Sequence, residues 1–330
     1  MKKIKLIPAL AMVAMLAGCS GNSLSVKAPK FAKEGKEVQE TELADIYNAD
    51  GYFGLWETVE PDEFPSFVAE AKASSEVKEK VYGADKKVKR ESDNKSVSNA
   101  TSKGDMKNLR LQEVVESKHI ENGKADGATY KANDEKKEDV VYQYGKYEGK
   151  DYLMYIDNAN NYYFYTESME GATEADKKAY ICEGAFFLMN DVIDYSLFLE
   201  ALDNYEGMSE EVKSNYKFFV NGKILTISYT YEESYDYEED GDVIYTINSK
   251  TTLKMQLDAS KNENYAYREL SEIEETVEFK ENAQYDYNDY FAGEKLETVR
   301  HDYFEGKVNV KDVTIKDIDL SNYFDLTNSL

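Results

Sequence analysis

The chain has 330 residues, 65 acidic and 40 basic, with a formal charge of −25. That balance argues against nucleic acid as a partner, because phosphate backbones are gripped by Lys and Arg patches. It also argues against the chain lying flat on an anionic membrane surface. With 28 Tyr and 14 Phe the chain is not globally disordered, and its length allows one large domain or two small ones with a substantial core.

The first residues read as a targeting segment. Lys2, Lys3 and Lys5 form a positive start, and residues 6–18 form an apolar run too short to span a bilayer. The run ends in L-A-G-C at 16–19, followed by S-G-N-S. This resembles a bacterial lipoprotein signal with its lipobox. The resemblance implies that 1–18 is removed, that Cys19 becomes a lipidated N-terminus, and that the membrane is a partner through it. Several acyl chains anchor stably where one does not. The implied location is extracytoplasmic, lipid-anchored to a bacterial cell membrane.

Residues 19–50 carry mostly Lys, Glu, Ala, Ser and Gly and read as a flexible tether, leaving 51–330 as a single β-rich domain. That domain opens on G-Y-F-G-L-W, which holds the single tryptophan, Trp56, a core anchor or a ligand-stacking ring. Ser66 as N-cap, with Phe67, Val68, Ala71, Val77 and Val81 behind it, predicts a helix up to Gly83. Residues 85–105 are charged and rich in Ser and Asn, so a polar loop is expected there.

Strands are predicted around 109–115, 128–132, 140–144, 151–156 and 162–165, with turn-forming connectors at 148–150 and 157–161. The period then changes. T-E-A-D at 173–176 resembles a capping box, and Ala179, Cys182, Phe186, Met189, Ile193 and Leu197 follow at helical spacing. One long apolar helix is expected to about 202, with a break near 190–191 as the alternative. Cys182 reads as a small buried hydrophobe, since only His119 and His301 could assist a thiol.

The most regular stretch is 225–279. Odd positions carry Leu225, Ile227, Tyr229, Tyr231, Tyr235 and Tyr237, then Val243, Tyr245, Ile247, Leu253, Met255 and Leu257, then Tyr265, Tyr267, Ile273, Val277 and Phe279. Even positions are mostly polar. A period of two predicts three long antiparallel strands with one covered face, and strands of this length twist into a curved sheet. Two closing strands are expected at 295–303 and 307–313.

The fold class is therefore α+β: a strongly curved antiparallel sheet, a half-open barrel, capped by a long apolar helix and an N-terminal helix. Over 52–315 this element order is similar to half-open β-barrel lipoproteins of the LolA/LppX type, which implies acyl chains held between sheet and helices. Tyr229, Tyr231, Tyr235, Tyr245, Met255, Phe186, Met189 and Trp56 are the candidate ligand-lining residues, since Tyr suits an amphiphile and Met adapts to one. The alternatives are a surface interaction or scaffold lipoprotein without a small ligand, and a cell-wall hydrolase. No catalytic residues are assigned, because G-x-S-x-G, H-E-x-x-H, P-loop and C-x-x-C motifs are all missing. No metal or cofactor is expected; the acidic run at 238–242 lacks EF-hand spacing. Oligomeric state is open.

Overall fold

A computed structural model describes residues 24–49, 59–125, 127–190, 192–193, 195–239, 241–261, 264–281 and 292–327. The chain begins with β1 (Lys36–Val38) and α1 (Glu40–Ala49). Six strands follow: β2 (Phe67–Tyr82), β3 (Val88–Asp105), β4 (Arg110–Ala125), β5 (Ala128–Tyr147), β6 (Lys150–Asp157) and β7 (Tyr162–Ser168). Helices α2 (Glu174–Asn190), α3 (Tyr195–Gly207) and α4 (Glu210–Lys213) come next. The last strands are β8 (Tyr216–Asn221), β9 (Ile224–Glu239), β10 (Asp242–Lys261), β11 (Asn264–Phe279), β12 (Lys295–Val310) and β13 (Phe324–Asp325). All join one curved, unclosed sheet in the order β1-β8-β9-β10-β11-β12-β2-β3-β4-β5-β6-β7-β13. Every described pairing is antiparallel except β13 on β7.

The alternating residues of the long strands share a face. Leu225 faces Leu257, Leu257 faces Tyr267, Tyr267 faces Gly306, and Gly306 faces Ala71 across five strands. At one end of the strands this inner face is roofed by the helices. Ile181, Ala185, Met189, Val192, Ile193, Phe198 and Leu202 pack with Phe67, Leu111, Leu153, Phe218, Leu225, Ile227, Met255, Leu257, Tyr267 and Val308. Burying this many large apolar side chains, at roughly 1.5–3 kcal/mol each, is the main force holding the layers together. Capping fixes where α2 starts: the Asp176 carboxylate accepts from the Thr173 backbone N–H at 2.8 Å, and the Asp176 N–H donates to Thr173 Oγ1 at 3.2 Å.

The outer face is covered at the same end by the two terminal segments. Gln256, fully buried, accepts from the Ala32 N–H at 2.7 Å and donates to the Ala32 carbonyl at 3.1 Å. This explains why Leu225, Thr226 and Ile227 are buried in succession, against the usual alternation. On the other flank Ile315 packs with Val141, Met154 and Ile156, and its N–H donates to Asp105 Oδ2 at 2.9 Å. Asp105, fully buried, also accepts from the Asn108 N–H at 3.2 Å and from its side-chain amide at 2.8 Å. Asp105→Ala is expected to cost about 3 kcal/mol in urea unfolding, since it strands a buried N–H and removes charge-assisted bonds. A cost under about 0.5 kcal/mol would show that the C-terminal segment is not pinned there.

Beyond the helices the sheet is a single layer. From Glu232 to Glu239 every residue of β9 is exposed, and most of β3 is polar on both faces. Backbone ladders and cross-strand pairs hold this part, including Lys95–Glu76 at 2.8 Å, Lys137–Glu116 at 2.7 Å and Lys250–Glu232 at 2.7 Å.

Several expectations are corrected. Residues 67–82 are strand, not helix: Phe67, Ala69, Ala71 and Ala73 alternate on the inner face, and pairing with β12 and β3 overrides the helix preference of Ala, Glu and Lys. Most of the polar loop at 85–105 is β3. The expected tether carries β1 and α1, with Leu43 and Tyr47 of α1 fully buried. In place of one long helix there are α2 and α3. Strands expected at 128–132 and 140–144 are one strand, β5, and the two closing strands are one, β12. Ile244, which breaks the alternation, sits at a bulge where the β9–β10 register shifts.

Candidate functional site

Five of the candidate residues lie along one face of β9 and β10. Met255 is at the roofed end, opposite Ile227, and is buried with Met189 in the core. Tyr229 follows, opposite Leu253, then Tyr231 opposite Thr251, Tyr235 opposite Ile247, and Tyr245 opposite Tyr237. Met255 is buried, Tyr229, Tyr231 and Tyr245 are half-buried, and Tyr235 is 49 % exposed. Phe186 is half-buried on α2, its ring 5.9 Å from that of Phe187. Trp56 and Cys19 lie outside the described residues.

Ring contacts run from α3 along this face to Tyr231. Tyr205 of α3 is 5.6 Å from Tyr216, Tyr216 is 4.5 Å from Tyr229, and Tyr229 is 6.1 Å from Tyr231. At the far end Tyr237 and Tyr245 stack at 4.7 Å. Such contacts contribute about 0.5–1.5 kcal/mol each beyond burial. Burial, with smaller contributions from Tyr216, Tyr231 and Glu233, pushes the Tyr229 phenol up to about 12. Its unfolded value is near 10, so folding favours the neutral phenol. This stabilisation is complete below pH 10 and is lost as pH rises towards 12. Tyr229→Phe is therefore expected to flatten the fall of the urea midpoint between about pH 10 and 12; an unchanged slope would contradict the half-buried position.

Side chains between sheet and helices are buried together. Met189, Phe198, Ile227, Met255 and Tyr267 are each at most 2 % exposed, in one contiguous cluster. Two clefts lie elsewhere, and none of the described ligand-lining candidates borders either. One, about 560 Å³, lies at the strand ends beside α2. Four of its charges pair across it, Lys178 with Asp62 at 3.1 Å and Lys107 with Asp312 at 2.9 Å. The second, about 420 Å³, lies on the outer face under the N-terminal segment.

Two features escaped sequence reasoning. Among the described residues an edge of β9 is open: β8 pairs only with residues 224–229, so 230–239 have a described partner strand on the β10 side alone. That run carries Glu232, Glu233, Asp236, Glu238 and Glu239 beside Tyr231, Tyr235 and Tyr237. The other feature is a second aromatic cluster on β5–β7, where Tyr155 stacks on Phe164 at 4.8 Å and Tyr147 lies 5.0 Å from Tyr165. The density of Tyr at 142–165 was its available signal.

Catalytic chemistry finds little support in these positions. Burial raises the Cys182 thiol, whose Sγ lies 3.6 Å from the Pro61 carbonyl, so the reactive thiolate is disfavoured. His301 Nδ1 lies 3.2 Å from Glu272, whose carboxylate also accepts from Tyr303 at 2.8 Å, on the outer strand face. Among the described residues no cluster of His, Cys, Asp and Glu could hold a metal, and no helix is long and apolar enough to cross a membrane.

No family model matches the chain, and no curated protein matches it. Among solved structures, the outer membrane protease OmpT from Escherichia coli is similar at 8 % identity and a TM-score of 0.24, over 76 % of this chain and 97 % of that one. OccK7 (OpdD) of Pseudomonas aeruginosa aligns at 5 % identity and 0.19, over 74 % and 98 %. A FadL homologue of Pseudomonas aeruginosa aligns at 6 % and 0.16, over 76 % and 91 %. At these scores the likeness carries no inference about function.

Proposed function

We propose that the protein is a membrane-anchored extracytoplasmic lipoprotein, held by acyl chains on Cys19, that acts as a surface interaction module and not as an enzyme. Its recognition surface is the unroofed end of β9–β10, and its partner is an extended, positively charged segment. The observation that carries this reading is the open edge at 230–239, with five carboxylates and three exposed or half-buried Tyr. Unpaired strand edges are templates for an added strand. Carboxylates along an edge repel copies of this chain while attracting a cationic partner. An amphiphile between sheet and helices, the other reading of the sequence, would have to part Met189 and Met255, which are buried in one cluster.

The test uses the mature chain carrying Cys19→Ser, titrated calorimetrically with an extended peptide alternating Lys with Val, and with its Glu counterpart. The Lys peptide is expected to bind, to weaken with salt, and to lose about tenfold in affinity against Tyr231→Ser/Tyr235→Ser. Equal affinity for both peptides, or an unaffected double variant, would refute the surface. Detergent-phase partitioning of the unsubstituted protein, abolished by Cys19→Ser, tests the anchor separately.

A further inference from the structure

The outer-face cleft reverses the sign of the molecule. Lys27 and Lys30 from the N-terminal segment, Lys72 from β2, Arg268 from β11 and Lys307 from β12 all line it, in a chain of net charge −25. The strand residues are placed by register: Arg268 faces Glu305, and Glu305 faces Lys72 across β11, β12 and β2.

The segment carrying the two N-terminal lysines is fixed in place. Besides the paired Gln256–Ala32 hydrogen bonds, Asn221 donates to the Lys33 carbonyl at 3.0 Å. Lys254 pairs with Glu34 and stands 4.8 Å over the Phe31 ring.

Counter-charge is short. Glu305, in the cleft, is shared by Arg268 at 3.2 Å and Lys307 at 3.1 Å, while Asp258 takes the far side of Arg268 at 3.5 Å. Glu70 faces Lys307 across the strands. Lys27, Lys30 and Lys72 form no ion pair among the described residues. Gathering like charges beside a guanidinium that is only 12 % exposed costs free energy that a bound anion offsets.

We infer that this cleft binds a phosphate group, and that its source is the headgroup of an anionic phospholipid. The inference rests on the Cys19 anchor. Lys27 is eight residues from Cys19, a reach of at most about 28 Å in extended chain, so the cleft is tethered close to the bilayer surface. Lysines this near an anionic leaflet each contribute about fivefold in partitioning. The acidic bulk of the molecule is repelled by the same leaflet, so the cleft would also orient the sheet with its Tyr-rich end away from the membrane.

The experiment is co-sedimentation of the mature chain carrying Cys19→Ser with phosphatidylcholine vesicles, with and without one-third phosphatidylglycerol. Binding is expected to the mixed vesicles alone, and Lys30→Gln with Lys72→Gln is expected to weaken it about fivefold per substitution. Lys118→Gln with Lys137→Gln, elsewhere on the outer face, is expected to leave it unchanged. Equal loss in both pairs, or no vesicle binding, overturns the proposal. Titration of inorganic phosphate by ³¹P NMR distinguishes the sources: phosphate bound tightly where vesicles are ignored would assign the cleft to a soluble ligand and overturn the lipid. Failure of Cys19 to carry lipid would show in detergent partitioning alone, independently of these outcomes.

Discussion

Replacing Gly306 by valine is expected to destabilise the protein by about 3 kcal/mol in urea unfolding, against the ordinary preference of strands for valine. Gly306 lies in β12 between Tyr267 and Ala71, and Ala100 stands next in the same row. These small residues make a trough in the inner face where the connection between α2 and α3 rests. A Cβ at Gly306 would come 1.5 Å from the Val192 carbonyl oxygen and 2.7 Å from its carbon. Backbone cannot move aside as a flexible side chain does, so the link between the helices must lift. Gly in a strand interior ordinarily weakens it by about 0.5–1 kcal/mol, so propensity alone gives the opposite sign. A variant as stable as the parent, or more so, would show that the helices do not sit on the sheet as described.

The second large effect is expected at Phe198, where alanine should cost about 4 kcal/mol. Phe198 is fully buried in α3, and its ring stacks on Tyr47 of α1 at 5.9 Å. Tyr47 and Leu43 are the residues by which α1 joins the core. The substitution should therefore also raise hydrogen exchange across Glu40–Ala49 well before global unfolding. A loss under about 1 kcal/mol, with α1 protection intact, would contradict the placement of both helices.

Much of the sheet was legible where one face is dry. Leu225, Ile227, Tyr229 and Tyr231 alternate because helices cover one side, and β9, β10 and β11 fall where that pattern puts them. Thr173 and Asp176 marked the start of α2 because capping is a local event. Strand β3 was not legible for the converse reason. A single-layer strand has water on both faces, so its residues carry no period, and V-K-R-E-S-D-N-K reads as loop. What stabilises it is non-local: Lys95 meets Glu76 only once β2 and β3 are paired. Strand β2 misled through composition, since Ala, Glu and Lys favour helices until neighbours on both sides supply the hydrogen bonds.

The candidate surface divided the same way. The tyrosine line was visible from spacing alone, but whether it lines a cavity depends on how tightly Met189 and Met255 pack. The open edge of β9 follows from β8 being only six residues long, which concerns a different segment. The basic cleft draws on residues 27, 30, 72, 268 and 307, and no window of sequence contains them.

Native mass spectrometry of the lipoprotein, gently extracted from its membrane, tests the buried interface most directly. The polypeptide is expected with its covalent acyl chains and with no amphiphile retained once anionic lipid is removed by high salt. A stoichiometric lipid that survives salt and is lost with Met255→Trp would mean that the sheet and helices part to enclose a ligand, and the surface reading would fall.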